Sequence, residues 1–283
     1  MKFGINTFLF TSPFTTESIS LFPQFKKWGF DSVEIALEDA SHIDAKVVKK
    51  ALDDNGLVCG SICAAMGADR DFRGSASDQE GAKKYLEGII DVMPDLGCPF
   101  LIGPLYSAVG RADFETPEDY KKQWDIVVKH LKSLADYAQK ADVTLCLEPL
   151  NRFETDFLNT CDQGLKLVND INHLAVGLHL DTFHMNIEEK NQAKAILKAG
   201  SKLKHFHACG TDRGTPGNDS LNWTEIFNAL KQIGYDNNVV IESFTPDVKI
   251  IAKAASIWRN MEPSQQSIAE EGVKFLKKTY ASA

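Results

Sequence analysis

Four polar side chains each close a short apolar run in the second half of the chain. Leu145-Cys146-Leu147 ends at Glu148, the run from Ala175 to Leu180 ends at Asp181, Leu203 to Phe206 leads into His207, and Val239-Val240-Ile241 ends at Glu242. A charge at the mouth of a buried strand is costly unless something binds it. Three carboxylates converging without a cation would repel one another. With one imidazole beside them they make a site for a hard divalent cation. The pattern therefore predicts Glu148, Asp181, His207 and Glu242 as metal ligands, with Mn²⁺ or Mg²⁺ suited to so oxygen-rich a set and Co²⁺ a substitute.

Further polar residues flank this set. His184 stands three residues past Asp181, Arg213 lies in the glycine-rich stretch after His207, and Glu154 follows Glu148 by six residues. His205 shares a strand face with His207, two residues away, and His179 is placed likewise before Asp181. Both read as core or supporting histidines, deeper than the ligands.

Eight β-rich apolar runs are available to position these residues, at 3–10, 32–37, 57–64, 99–103, 143–147, 175–180, 203–207 and 239–242. Most intervals carry a helical pattern. Asp44 reads as a helix cap before Val48 and Leu52, and Ser77-Asp78-Gln79-Glu80 as a capping box before Leu86, Ile89 and Ile90. Thr116-Pro117-Glu118 opens a long helix with Trp124, Val127, Leu131 and Leu134 inward, and Asn222 caps another. Pro23 is expected to break the first turn of the first helix, and two last helices are expected at about 248–261 and 265–280. Strands alternating with helices, without a linker, predict one (β/α)₈ TIM barrel domain over 1–283. An open doubly wound sheet would show a glycine-rich turn after the first strand, where Asn6-Thr7-Phe8-Leu9 stands instead. In such a barrel, residues at the C-terminal strand ends are the chemical ones.

The 283 residues carry a net charge of -8, which disfavours nucleic acid or an anionic membrane as partner. No apolar run approaches the length of a membrane span. The N-terminus runs straight into a strand pattern, and the six cysteines contain no CxxC pair, so reduced thiols in a cytoplasmic protein are expected.

The segments EPLNRFETD at 148–156, DTFHMNIEE at 181–189, HFHACGTDRGTPG at 205–217 and ESF at 242–244 resemble the signature segments of the D-tagatose 3-epimerase family. That family includes the D-psicose (D-allulose) and L-ribulose 3-epimerases and belongs to the xylose-isomerase-like barrels. The resemblance implies a metal-dependent ketose 3-epimerase whose ligands are the four residues above. It implies Glu148 and Glu242 as catalytic acid and base on opposite faces of an enediolate, and a dimer or tetramer as the assembly. Glu154, His184 and Arg213 fall on the family's substrate-contacting positions. Asn6 and Phe8 lie where the family has bulky aromatic residues, and are expected at the far end of the sugar. Aldose–ketose or hydroxypyruvate-type isomerisation, or epimerisation of a ketose phosphate, would use the same metal site.

Overall fold

The computed structural model describes residues 1–283, and eight parallel strands close into one barrel in chain order. The strands are β1 (Lys2–Asn6), β2 (Ser32–Leu37), β3 (Val58–Ala64), β4 (Phe100–Gly103), β5 (Thr144–Leu147), β6 (Val176–Asp181), β7 (Leu203–Ala208) and β8 (Asn238–Ile241). Around them run α1 (Phe22–Trp28), α2 (Ala45–Asp54), α3 (Ala76–Leu96), α4 (Pro117–Lys140), α5 (Cys161–Ile171), α6 (Thr182–Glu188), α7 (Gln192–Ala199), α8 (Trp223–Gln232), α9 (Lys249–Ala254) and α10 (Gln265–Ser282). The expected (β/α)₈ barrel is thus the fold found. Its strands are continuous apolar runs because helices cover the outside and the barrel closes over the inside.

Capping chemistry fixes where most helices begin. Asp44 accepts from the Lys46 and Val47 amides, Thr116 from Asp119, and Asn222 from Glu225. The cap of α3 lies two residues before the serine expected. Ser75 accepts from the Asp78 amide while Asp78 reaches back to the Ser75 amide at 2.9 Å, which closes a reciprocal box. Pro23 does not break α1; it occupies the first turn, where its missing N–H costs nothing. The stretch at 248–261 is helical only over α9, and Trp258 beyond it is exposed.

The first strand stops at Asn6 rather than continuing to 10. The Asn6 side chain accepts from the Phe8 amide at 2.8 Å and starts a 3₁₀ turn at Thr7–Leu9. Inside the barrel, alternation along the strands turns Asn6, Glu34, Ser61, His179 and His205 inward, all with no exposure. Register sets Asn6 beside Glu34, His179 beside His205, and Asp181 beside His207. The layer under the barrel mouth is therefore polar. All six cysteines are free and buried, and no helix is long and apolar enough to cross a membrane.

The loops above β3, β4 and β5 are clasped together. Arg73, buried, pairs with Asp156 at 2.7 Å, and Arg111 pairs with Asp71 at 2.9 Å. Replacing Ser75 by alanine should lower stability by about 1 kcal/mol, the usual worth of an N-cap, while Ser77→Ala should be near neutral. Urea unfolding of the two variants checks which serine caps α3.

Candidate metal centre and active site

Glu148 and Glu242 follow the last residues of β5 and β8, Asp181 ends β6, and His207 lies next to the end of β7. The structure brings all four to one place, with ligand atoms within 4.8 Å of one another. Each is at most 7% exposed. Glu148 Oε1 and His207 Nδ1 are buried with no hydrogen-bond partner, an arrangement that costs free energy unless a cation satisfies them. His207 Nδ1 lies 3.3 Å from Glu242 Oε2 and 3.6 Å from Asp181 Oδ2. The donor set fits a divalent cation of the Mn²⁺ or Mg²⁺ kind.

Arg213 joins this cluster from the loop after β7. Its Nη1 donates to Asp181 Oδ2 at 2.5 Å and to Glu242 Oε2 at 2.9 Å. The guanidinium sits over the rings of Phe183 (4.3 Å) and Phe244 (5.1 Å), which hold it in plane. Its backbone has φ 65°, a left-handed conformation that a non-glycine residue adopts at some cost. Burial opposes charge on Asp181, but Arg213 and His207 outweigh it and hold the carboxyl below its ordinary range.

His184 stands on α6, directly after β6. Burial and the neighbouring Arg213 bring its pKa down to about 3, so the ring is neutral. Its Nδ1 accepts from the Asn151 amide at 3.0 Å, while Arg213 Nη2 lies 3.0 Å from Nε2. No neutral tautomer accepts at both nitrogens. Two nitrogens of Asn151, the backbone amide and Nδ2 at 2.9 Å, approach Nδ1, so the proton is assigned to Nε2, which lies 3.7 Å from Glu148 Oε1. Glu154 accepts from Asn151 Nδ2 at 2.8 Å.

A cavity of about 260 Å³ opens onto these groups, small enough to suit a small molecule. Its lining combines the polar Glu148, Glu154, His184, Arg213 and Glu242 with apolar residues that include Phe8, Met66, Val109, Leu150 and Ile251. Asn6 does not line it. Because Asn6 caps the 3₁₀ turn, its amide points down the barrel axis, donating to Glu34 Oε1 at 2.8 Å and to Glu242 Oε1 at 3.2 Å. His205 Nε2 lies 2.7 Å from Glu34 Oε2, but no ring nitrogen of His205 or His179 has a hydrogen-bond partner. Burial, then His207 and His205, lower the pKa of His179 well below its ordinary value, which keeps it neutral. Glu34 itself escaped the sequence reading. The signal was there: one acid in the middle of the run Val33-Glu34-Ile35-Ala36-Leu37.

Known proteins resemble this chain over nearly its whole length. Residues 22–279 match the family model described as xylose isomerase-like TIM barrel. A probable ketose 3-epimerase of Synechocystis is 36% identical over 284 residues, covering 99% of this chain and 97% of that protein. A D-psicose 3-epimerase of Enterocloster bolteae is 33% identical, covering 93% and 89%. Among solved structures, a D-allulose 3-epimerase from Methylomonas in complex with D-allulose superposes with a TM-score of 0.92 at 28% identity, covering 99% and 97%.

Cation binding should depend on pH. Without a cation, burial and then Glu242 raise the pKa of Glu148 well above its ordinary range. Glu34 and Glu242 raise His207 well above its own, against the opposing effect of burial. Both therefore hold protons that ligation must displace, so affinity rises with pH and falls as pH falls. Mn²⁺ titration calorimetry over about pH 6–8, in buffers of differing ionisation heat, should show release of roughly one to two protons. Binding without proton release would contradict these assignments.

Proposed function

The chain belongs to the xylose isomerase-like TIM barrel family, and from that membership and the chemistry of its mouth we propose a ketose 3-epimerase acting on a free ketohexose or ketopentose. The observation that carries this reading is a pair of cavity-lining carboxylates, Glu148 and Glu242, on strands three places apart in an eight-stranded ring. Inverting a carbon beside a carbonyl requires a proton to leave one face and another to arrive on the opposite face. Two acids reaching in from well-separated strands can serve both faces, with their roles exchanged according to which epimer is bound.

Once the C3 proton is removed, negative charge spreads over the oxygens at C2 and C3. The His184 Nε2–H and the Arg213 guanidinium, both buried, would be donors held ready for that charge. Glu154, raised by burial and held by Asn151, is placed to receive the hydroxyl at C1. A divalent cation held by Glu148, Asp181, His207 and Glu242 (Mn²⁺ foremost, Mg²⁺ or Co²⁺ as alternatives) would supply Lewis-acid polarisation of the carbonyl. Arg213 is the one Lys or Arg lining the cavity, and Asp181 and Glu242 already engage it. A phosphate dianion finds no free cation there, which favours an unphosphorylated sugar.

Incubation with Mn²⁺ and D-fructose, D-psicose, D-tagatose or L-ribulose in D₂O, followed by NMR, should give deuterium at C3 and the C3 epimer. The corresponding phosphates should remain unchanged. Deuterium at C1 with an aldose product would replace this reading by aldose–ketose isomerisation.

Glu148→Gln and Glu242→Gln should each lower kcat by about 100-fold or more, with the circular dichroism spectrum unchanged. Both variants keeping more than about a tenth of the activity would exclude the two-acid scheme.

A further inference from the structure

Glu34 lies in the middle of β2, with no exposure, below the four proposed ligands and outside the cavity lining. Three side-chain donors converge on its carboxylate, with the His205 ring close beside them. Asn6 Nδ2 (2.8 Å) and His207 Nε2 (2.7 Å) approach Oε1, while Ser61 Oγ (2.5 Å) and His205 Nε2 (2.7 Å) approach Oε2. A carboxylate has about four lone-pair positions and offers no donor when ionised. With three donors bonded and the His205 ring against Oε2, Glu34 is not itself free to ligate a cation.

We propose that Glu34 is a positioning residue for the cation site: it orients His207 so that Nδ1 is the ligand nitrogen, and it steadies Glu242 through Asn6. The inference rests on the cation-site part of the reading above and not on the identity of the sugar. Because Glu34 can only accept, His207 Nε2 must point its hydrogen at Oε1. Nδ1 is then the nitrogen left for a metal, and it is the one that faces Asp181 and Glu242 without a hydrogen-bond partner. A carboxylate behind a metal-bound imidazole fixes the ring and strengthens it as a ligand. The same oxygen of Glu34 receives one N–H of Asn6, whose amide also donates to Glu242 Oε1. The Phe8 amide, donating to Asn6 Oδ1, prevents the Asn6 side chain from turning over. One buried carboxylate thereby sets the attitude of two ligands contributed by other strands.

Glu34→Gln is nearly isosteric, so it keeps the packing and removes the charge. Mn²⁺ affinity, read from free Mn²⁺ by EPR, should weaken about 10–100-fold, with cooperative thermal unfolding retained. Glu34→Asp keeps the charge one methylene further back and should recover part of the loss. Independently, ¹⁵N-histidine NMR of the wild-type protein loaded with Mg²⁺ should show His207 protonated at Nε2 and bare at Nδ1. A Glu34→Gln variant that binds Mn²⁺ within about threefold of wild type would overturn the proposal. So would a wild-type spectrum with the proton on Nδ1, and that spectrum decides the matter even if the variants fail to fold. Wild-type protein that bound neither ion would remove the cation site and this role together. Neither readout involves a sugar, so failure of the epimerase reading would leave both unmoved.

Discussion

The structure is organised around a concentration of negative charge on the barrel axis. Glu34, Glu148, Asp181 and Glu242 all lie in its upper interior, each nearly or wholly out of water. Buried carboxylates at such density are tolerated only when cations and donors surround them. The fold supplies Arg213, His207, Asn6, Ser61 and His205, and a divalent ion would complete the set. Parallel strands make this possible, because their inward side chains stack in layers on the axis, each layer built from alternate strands. A slip of one residue in β6 or β7 would turn Asp181 or His207 outward and leave the remaining acids uncompensated.

The outer elements serve the same end. Arg213 must reach back across the mouth from the loop after β7, and its left-handed backbone with the flanking rings of Phe183 and Phe244 holds it there. His184 is fixed by a backbone amide of the next-door loop rather than by another side chain. The ion pairs of Arg73 with Asp156 and Arg111 with Asp71 tie together the three loops that wall the other side. Rigidity around the reacting end is therefore distributed over backbone donors, aromatic stacking and ion pairs.

The barrel was legible because its strands are apolar on both faces and its helices carry caps. The convergence of Glu148, Asp181, His207 and Glu242 was legible for the opposite reason: each is a polar group that ends an apolar run. Glu34 was not, since a single acid among Val33, Ile35 and Leu37 has the alternation of a half-exposed strand, and only closure of the barrel makes its face interior. Asn6 was expected to contact the far end of the sugar, yet its amide engages Glu34 and Glu242 instead. Its capping of Phe8 is a local choice that the sequence permits without dictating. The α3 cap was missed by two residues because Ser75 and Ser77 both precede acidic residues, and the geometry of Asp78 decides between them. The apolar wall of the cavity was illegible, being assembled from loops after several different strands.

That wall has a consequence for selectivity. Away from Glu148, Glu154, His184, Arg213 and Glu242, the side chains around the cavity are apolar or, at Cys63, a thiol. A surface of this kind distinguishes sugars by shape alone, which is worth only about 1–3 kcal/mol per added or missing methylene. It holds no buried donor or acceptor that a wrong hydroxyl pattern would leave unpaired, the device by which proteins reach far higher discrimination. On the reading proposed above, fidelity would be concentrated at the carbons undergoing chemistry, and the tail of the sugar would be read loosely. Among ketoses alike at the first three carbons, the abundance of each in the cell would govern turnover more than recognition does.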